Sequence, residues 1–525
     1  MVSMAPESID RAGAVRPAVV VVCAGMLAMA IALVAAVLTN RPPRRESFDS
    51  DEVDRIFSFA LAAAREIEED DRCRALRKIA SAQAGAGRFD AARATAGEIL
   101  HSNWLGGALE EIAVGQAEAG LRQEGLATAA EIQNTYARWR ALREIAAALA
   151  RAGEFDEALA TARTIEDHRP RARALADIAA CQSHAALTEE ARQTFEEALV
   201  IARMVPRGGF QDATLRNWTL GGVAAAQAKA GRFNEALAAA GEIRRVPDRD
   251  SVLGEIAVCQ AEAGQLDEAL ETAATIQEVY YRARALRRIA IGQAEARQFH
   301  AARAVADQIE DGAARAGALG GVASFLAKAE SANEAGGVFA DARAATGEIE
   351  DPVRRAAARG ELALAQAEAG WFDEAVETAE NVLHAPGRMR ILVEIAAALA
   401  GAQQFDEALA IAEKIEDALH RDRSLSRIAV AQAEAGRFEE ASAAAGKIED
   451  ASLRAGGLRD IAVVQAAAGQ EAEALSRAED EEDAFVQSVV YLGIAEGLAA
   501  RRGHPMPARF RSGRRDGPCR REVRT

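Results

Sequence analysis

A glycine-centred turn recurs along this chain at intervals of 33 residues, and no other feature restricts the fold as tightly. Gly87, Gly120 and Gly153 are spaced by 33, and the same turn returns at Gly231, Gly264, Gly370, Gly436 and Gly469. Arg297 and Gln403 fill the equivalent slot of two further units. A fixed period of this length marks stacked supersecondary units rather than one globular core. With Gly87 as position 15, the commonest wording from position 0 is R-x-x-x-L-x-x-I-A-x-x-Q-A-x-A-G-x-F-x-E-A, closing on I-E-D. About thirteen units fit it from Arg72 onward.

Each unit reads as a helical hairpin. Positions 4, 7, 8 and 11 are apolar or Gln, the i, i+3, i+4, i+7 stripe of an amphipathic helix. Glycine at 15 suits a left-handed helix end, because it has no Cβ to clash there. Phe at 17 and Ala at 20 open a second helix that closes near Ile165-Glu166-Asp167 and its equivalents. The composition agrees: half the residues are apolar but only 5% are aromatic, so alanine supplies much of the apolar surface and helices pack closely. One hairpin cannot bury its apolar face alone, so the copies must stack. The predicted class is all-α.

On these residues the chain resembles the tetratricopeptide repeat family over about residues 50–500. Leu142, Ile145-Ala146, Gly153, Phe155 and Ala158 match that family's pattern at 4, 7, 8, 15, 17 and 20. Gln replaces its Tyr at 11, Pro at 32 is mostly missing, and the unit is one residue short. The resemblance implies a helix-hairpin solenoid with a concave groove lined by the first helices.

Two units break the rhythm. After Thr188-Glu189-Glu190-Ala191 the fourth runs on through Phe195 and Ala198, and the eighth does likewise through Phe339 and Ala342. Both predict long second helices, dividing the repeats into 46–205, 206–350 and 351–500. The last unit keeps Ile494-Ala495 and Leu498 without a second helix and reads as a cap. Residues 501–525 carry nine Arg and three Pro and read as a disordered basic tail.

Ahead of the repeats, residues 1–16 form a short tail and 17–39 a candidate membrane anchor. Pro17–Leu38 is 22 residues without a charge, enough to span about 30 Å of hydrocarbon. A cleaved signal has a shorter apolar run and a small-residue cleavage site; the length here points to an uncleaved, single-pass anchor. Arg11 and Arg16 on one side balance Arg41, Arg44 and Arg45 on the other, so charge leaves undetermined which side carries the repeats.

Net charge is 63 minus 80, or −17. Residues 501–525 contribute +7 and residues 1–50 contribute +1, leaving −25 on the body. That argues against nucleic acid as the body's partner, since phosphate binding needs clustered positive charge. No catalytic residue, metal site or cofactor site is expected: the seven histidines show no ligand spacing, and phosphate-binding and nucleophile motifs are absent. Acid pairs such as Asp156-Glu157 and Asp406-Glu407 recur at positions 18 and 19 as helix-start acids favoured by the macrodipole.

Arginine at position 0, as in Arg171, Arg282 and Arg355, reads as a ladder of ion pairs between units. The candidate binding residues are the arginines at 2 and 5: Arg74, Arg77, Arg140, Arg143, Arg173, Arg284, Arg287, Arg390, Arg423 and Arg459. At 100° per residue these share one side of the first helix, away from the core stripe, which the resemblance places in the groove. An arginine rim over small residues suits an acidic protein or peptide partner. Replacing Arg140, Arg143, Arg284 and Arg287 by Gln is expected to remove binding and leave helicity and melting unchanged. The function expected is a membrane-anchored, non-catalytic scaffold; the alternative is a self-assembling structural solenoid without a peptide ligand.

Overall fold

A computed structural model describes residues 50–66, 69–206, 210–329, 331–382 and 385–501. The chain divides into Met1–Asp54 and Arg55–Thr525, and the repeats occupy the second unit. Pro17–Leu38 and 502–525 lie outside the described residues, among which no helix is long and apolar enough to cross a membrane.

All 26 described helices are α-helices, and twelve hairpins repeat one plan. The first helices are Glu69–Gly85, Ser102–Glu118, Thr135–Ala152, His168–His184, Phe210–Lys229, Val246–Glu262, Val279–Glu295, Gly312–Lys328, Pro352–Glu368, Ala385–Gly401, Ala418–Glu434 and Ala451–Ala467, and Ala484–Arg501 is a thirteenth. Most second helices are short, such as Phe155–Arg163 with nine residues.

The third unit shows why the sequence folds this way. Asn134 caps the first helix by accepting from the Ala137 N–H at 2.9 Å, satisfying one of the donors a helix start leaves open. Gly153 ends it at φ 85°. There the Gly153 N–H donates to the Ala150 carbonyl and the Glu154 N–H to the Leu149 carbonyl, at 3.1 and 2.9 Å, the paired bonds of a Schellman end. The same φ recurs at every glycine read as position 15, and Ala186, Arg297 and Gln403 adopt it at 61–63°. A side chain there costs roughly 1–2 kcal/mol against glycine.

Alanine at 8 and 20 lets the two helices touch: Ala80, Ala146, Ala179, Ala92, Ala158 and Ala191 are all fully buried. The closing I-E-D has two roles. Ile165, Ile309, Ile415 and Ile448 plug the core between units at 0–2% exposure. The aspartate then caps the next first helix, as Asp167, Asp311, Asp351, Asp417 and Asp450 do. Each unit therefore ends in a capped restart of the next.

Thr188–Met204 and Ala332–Gly347 are the long second helices, at 17 and 16 residues. Both bury a phenylalanine, Phe195 and Phe339, at the position where an ordinary second helix buries Ala162. The positions after 205 and 350 therefore sit at the ends of long helices within one unit.

The thirteenth first helix is not a solvated end cap. Val486, Val489, Tyr491, Leu492, Ile494 and Leu498 are at most 7% exposed, and even Glu496 is 4% exposed. On one side it meets Ala451–Ala467 unusually closely: a Cβ on Gly493 would lie 2.4 Å from the Arg459 carbonyl oxygen, and one on Gly497 would lie 2.3 Å from that of Val463. On the other side it packs against the first helix of the first unit, Glu69–Gly85. The Arg74 guanidinium lies 4.9 Å from the centroid of the Phe485 ring. Phe59, from the helix leading into the first unit, stacks on Tyr491 at 5.6 Å. The two ends of the array meet, so the stack closes on itself.

Candidate first-helix binding face

Consecutive first helices pack directly on one another, whereas no close helix-to-helix packing joins consecutive second helices among the described residues. Ion pairs bridge the second helices instead, as in Arg93–Glu131 at 2.7 Å, Arg163–Glu197 at 2.6 Å and Arg303–Asp341 at 2.6 Å. Elements that sit closer together lie on the inside of a curve, so the first helices form the concave side.

The position-0 arginines mostly close turns. Arg171 donates to the Ile165 carbonyl at 2.5 Å and Arg355 to that of Ile349 at 3.1 Å, satisfying carbonyls the second helix leaves open. Arg421–Glu449 at 3.2 Å and Arg454–Glu481 at 3.7 Å add ion pairs to the same turns.

Seven of the ten candidate arginines are held by carboxylates. Arg77 reaches Glu111 at 2.8 Å, Arg143 reaches Glu144 at 2.5 Å, Arg173 reaches Asp177 at 3.2 Å and Arg287 reaches Glu361 at 2.6 Å. Arg74 pairs with Asp71 at 2.9 Å, Arg140 grips Glu110, and Arg459 holds both Asp460 and Glu496. Four pairs cross between units: Arg140, at position 2, reaches Glu110 at position 5 of the preceding unit, whereas Arg77, Arg287 and Arg459, all at position 5, reach forward to Glu111, Glu361 and Glu496. Glu110 and Glu496 are 6% and 4% exposed, so these two pairs are structural as much as they are surface features. Burial pushes the Glu496 carboxyl above its ordinary value, against the pull of Arg459.

Glycines inside these helices make room for the arginines. A Cβ on Gly107 would lie 2.9 Å from the Arg77 Nε, and one on Gly317 would lie 2.7–2.9 Å from Glu361 and Arg287. Arg287 thus crosses the eighth unit to reach the ninth. Arg284, Arg390 and Arg423 are exposed and make no ion pair among the described residues. Arg284 lines a narrow cleft with Gly254, Tyr281 and Arg288.

Three exposed aromatics share this face and were not singled out from the sequence. Tyr136, Trp218 and Tyr280 are 67%, 62% and 69% exposed. Aligning the units would have revealed them: Tyr136 and Tyr280 both stand four residues before an arginine at position 2, and Trp218 occupies position 2 itself.

Among the described residues, no group of three or more His, Cys, Asp or Glu is placed to hold a metal ion. No family model matches the chain, and no curated protein matches it. Among solved structures it is similar to Ton1535 from Thermococcus onnurineus NA1, at 18% identity over 66% of this chain and 96% of that one, with a TM-score of 0.24. It is also similar to a circular tandem repeat protein with novel repeat topology and enhanced subunit contact surfaces, at 13% identity over 86% and 96% of the two chains, with a TM-score of 0.18. The chain is an all-helical repeat protein.

Proposed function

We propose that this chain is a tetratricopeptide-like scaffold that binds an extended acidic protein segment on its first-helix face and performs no chemistry of its own. The observation that carries this reading is the alignment of Arg284, Arg390 and Arg423, exposed and without ion pairs, in one register of the concave side. A free guanidinium offers a carboxylate two parallel N–H donors.

The structure changes how the reading should be tested. Glu110 is buried while Arg140 is half exposed, so Arg140→Gln would leave a buried carboxylate without its cation, at a cost of about 1–3 kcal/mol. The unchanged melting expected for a variant that includes Arg140 is therefore replaced by a loss of stability. The triple change Arg284→Gln, Arg390→Gln and Arg423→Gln spares every ion pair on the face. It should weaken binding of a fluorescein-labelled glutamate-rich peptide at least tenfold and leave the unfolding midpoint in place. Undiminished binding would remove the reading.

Self-association has less support. With Phe59 on Tyr491 and Arg74 on Phe485, the ends that a filament would use already cover each other. We further propose that Pro17–Leu38 anchors the scaffold in a membrane. A one-sided reporter fused after Ala500 would assign the repeats to one compartment, and recovery of the full chain without membranes would remove the anchor.

A further inference from the structure

We propose that the partner is an acidic peptide held extended across the third to eleventh units, with apolar side chains stacking on Tyr136, Trp218 and Tyr280 about two units apart and carboxylates on Arg284, Arg390 and Arg423. This rests on the first-helix face being the binding face, and it adds the partner's spacing and its apolar character.

A single exposed aromatic needs no explanation. These three form a set. They stand on the first helices of the third, fifth and seventh units, at regular alternation. Tyr136, Arg140 and Arg143 follow an i, i+4, i+7 stripe, which falls on one side of a helix. Tyr280, Arg284 and Arg287 repeat that stripe four units later. Trp218 fills the register of Arg140 and Arg284 midway between them. At the same register Gly107, Ser251, Ala357 and Gly456 fold without an aromatic, so the repeat itself does not require one. Tyr280 is braced edge-on by Tyr281 at 5.3 Å, which holds its ring out before any partner arrives.

The spacing comes from helix packing. Neighbouring helices lie about 8–10 Å apart, so alternate units lie roughly 16–20 Å apart. An extended chain covers about 3.3 Å per residue, which puts five or six residues between successive rings. The peptide's carboxylates would meet Arg284 beside Tyr280 and, three and four units further on, Arg390 and Arg423, which hold no ion pair among the described residues. Rings and arginines together would also suit a single-stranded nucleic acid. Glu144, Asp177 and Glu255 on the same helices disfavour a phosphate at every step, and a peptide can leave those positions uncharged.

The test uses the full chain and labelled 20-residue probes: a glutamate-rich peptide with Phe at every sixth position, its Phe→Ser counterpart, and an oligothymidylate. The Phe peptide should bind about tenfold more tightly than the Ser peptide. The triple change Tyr136→Ser, Trp218→Ser and Tyr280→Ser should abolish that difference, with circular dichroism unaltered because all three rings are exposed. The Arg284, Arg390 and Arg423 triple should weaken both peptides alike. Equal binding of the two peptides, still lost with the arginines, would overturn this inference and leave the proposed function standing. Binding of neither peptide would overturn both, as would tighter binding of the oligothymidylate.

Discussion

Replacing Gly493 and Gly497 together by alanine should open the place where the array closes. Each new Cβ would meet backbone, at 2.4 Å from the Arg459 oxygen and 2.3 Å from the Val463 oxygen, and the one on Gly497 would also lie 2.9 Å from the Ala466 Cβ. Ordinary contact begins near 3.4 Å, so helix Ala484–Arg501 must retreat by about 1 Å. The nearest atom at each site is backbone, which cannot yield as the end of a flexible side chain could. The helix is buried on all sides, so moving off one neighbour disturbs its packing against Phe59 and Glu69–Gly85 as well. Overpacking of this kind costs about 1–3 kcal/mol per site, and the two sites share neighbours, so the costs do not simply add. Alanine's helix preference returns about 0.5–1 kcal/mol at each position. The net loss is about 2 kcal/mol, which corresponds to roughly 30-fold faster amide exchange in residues 484–498. Exchange in Val279–Glu295, remote from the junction, should not change. Gly337→Ala is the control: nothing lies within 4 Å of its added Cβ, so it should stabilise its helix by about 0.5–1 kcal/mol. Unchanged or slower exchange in residues 484–498 of the double variant would refute the close approach.

Three further outcomes rest on the same physics. Ala186→Gly and Gln403→Gly should each stabilise the protein by about 1 kcal/mol in chemical denaturation, because both residues sit at positive φ. Gln366 is 1% exposed and its side-chain oxygen has no partner among the described residues, so Gln366→Leu should be neutral or stabilising; Gln83→Leu should cost about 1 kcal/mol, since Gln83 accepts from the buried Thr95 hydroxyl at 2.7 Å. Burial pushes the Asp311 carboxyl up, but the Ala314 N–H and Arg354 together hold it below its ordinary value. A depressed folded value means that its stabilising effect is present above the unfolded value near 3.9 and is lost as pH falls through the folded one. Acidification below about pH 4 should therefore loosen helix Gly312–Lys328, and Asp311→Asn should flatten that response in amide exchange.

The hairpin was legible because its determinants lie within one 33-residue unit. Leu142, Ile145, Gly153 and Phe155 specify a helix, a left-handed stop and a restart without reference to the rest of the chain. Even the irregular turn at Ala186 could have been placed by counting four residues on from Gln182. The closure was not legible, because Phe59 and Tyr491 meet only after every intervening unit has added its rotation. The arginine face was legible as a stripe but not as a set of pairs. Whether Arg140 is free depends on Glu110 in the preceding unit, at a register set by how parallel helices pack. The helix-interior glycines carried a signal that went unread: Gly107 and Gly317 leave space for a neighbour's arginine.

Closure of the array matters most, because it joins the first helix of the first unit to the last helix and leaves no free end for growth. The direct measurement places a benzophenone side chain at Phe59 in the full chain and maps its photo-crosslinks by mass spectrometry in the monomeric fraction. Closure predicts crosslinks within one chain to residues 484–498, centred on Tyr491. Crosslinks confined to neighbouring residues before Gly97, or formed only between two chains, would contradict it.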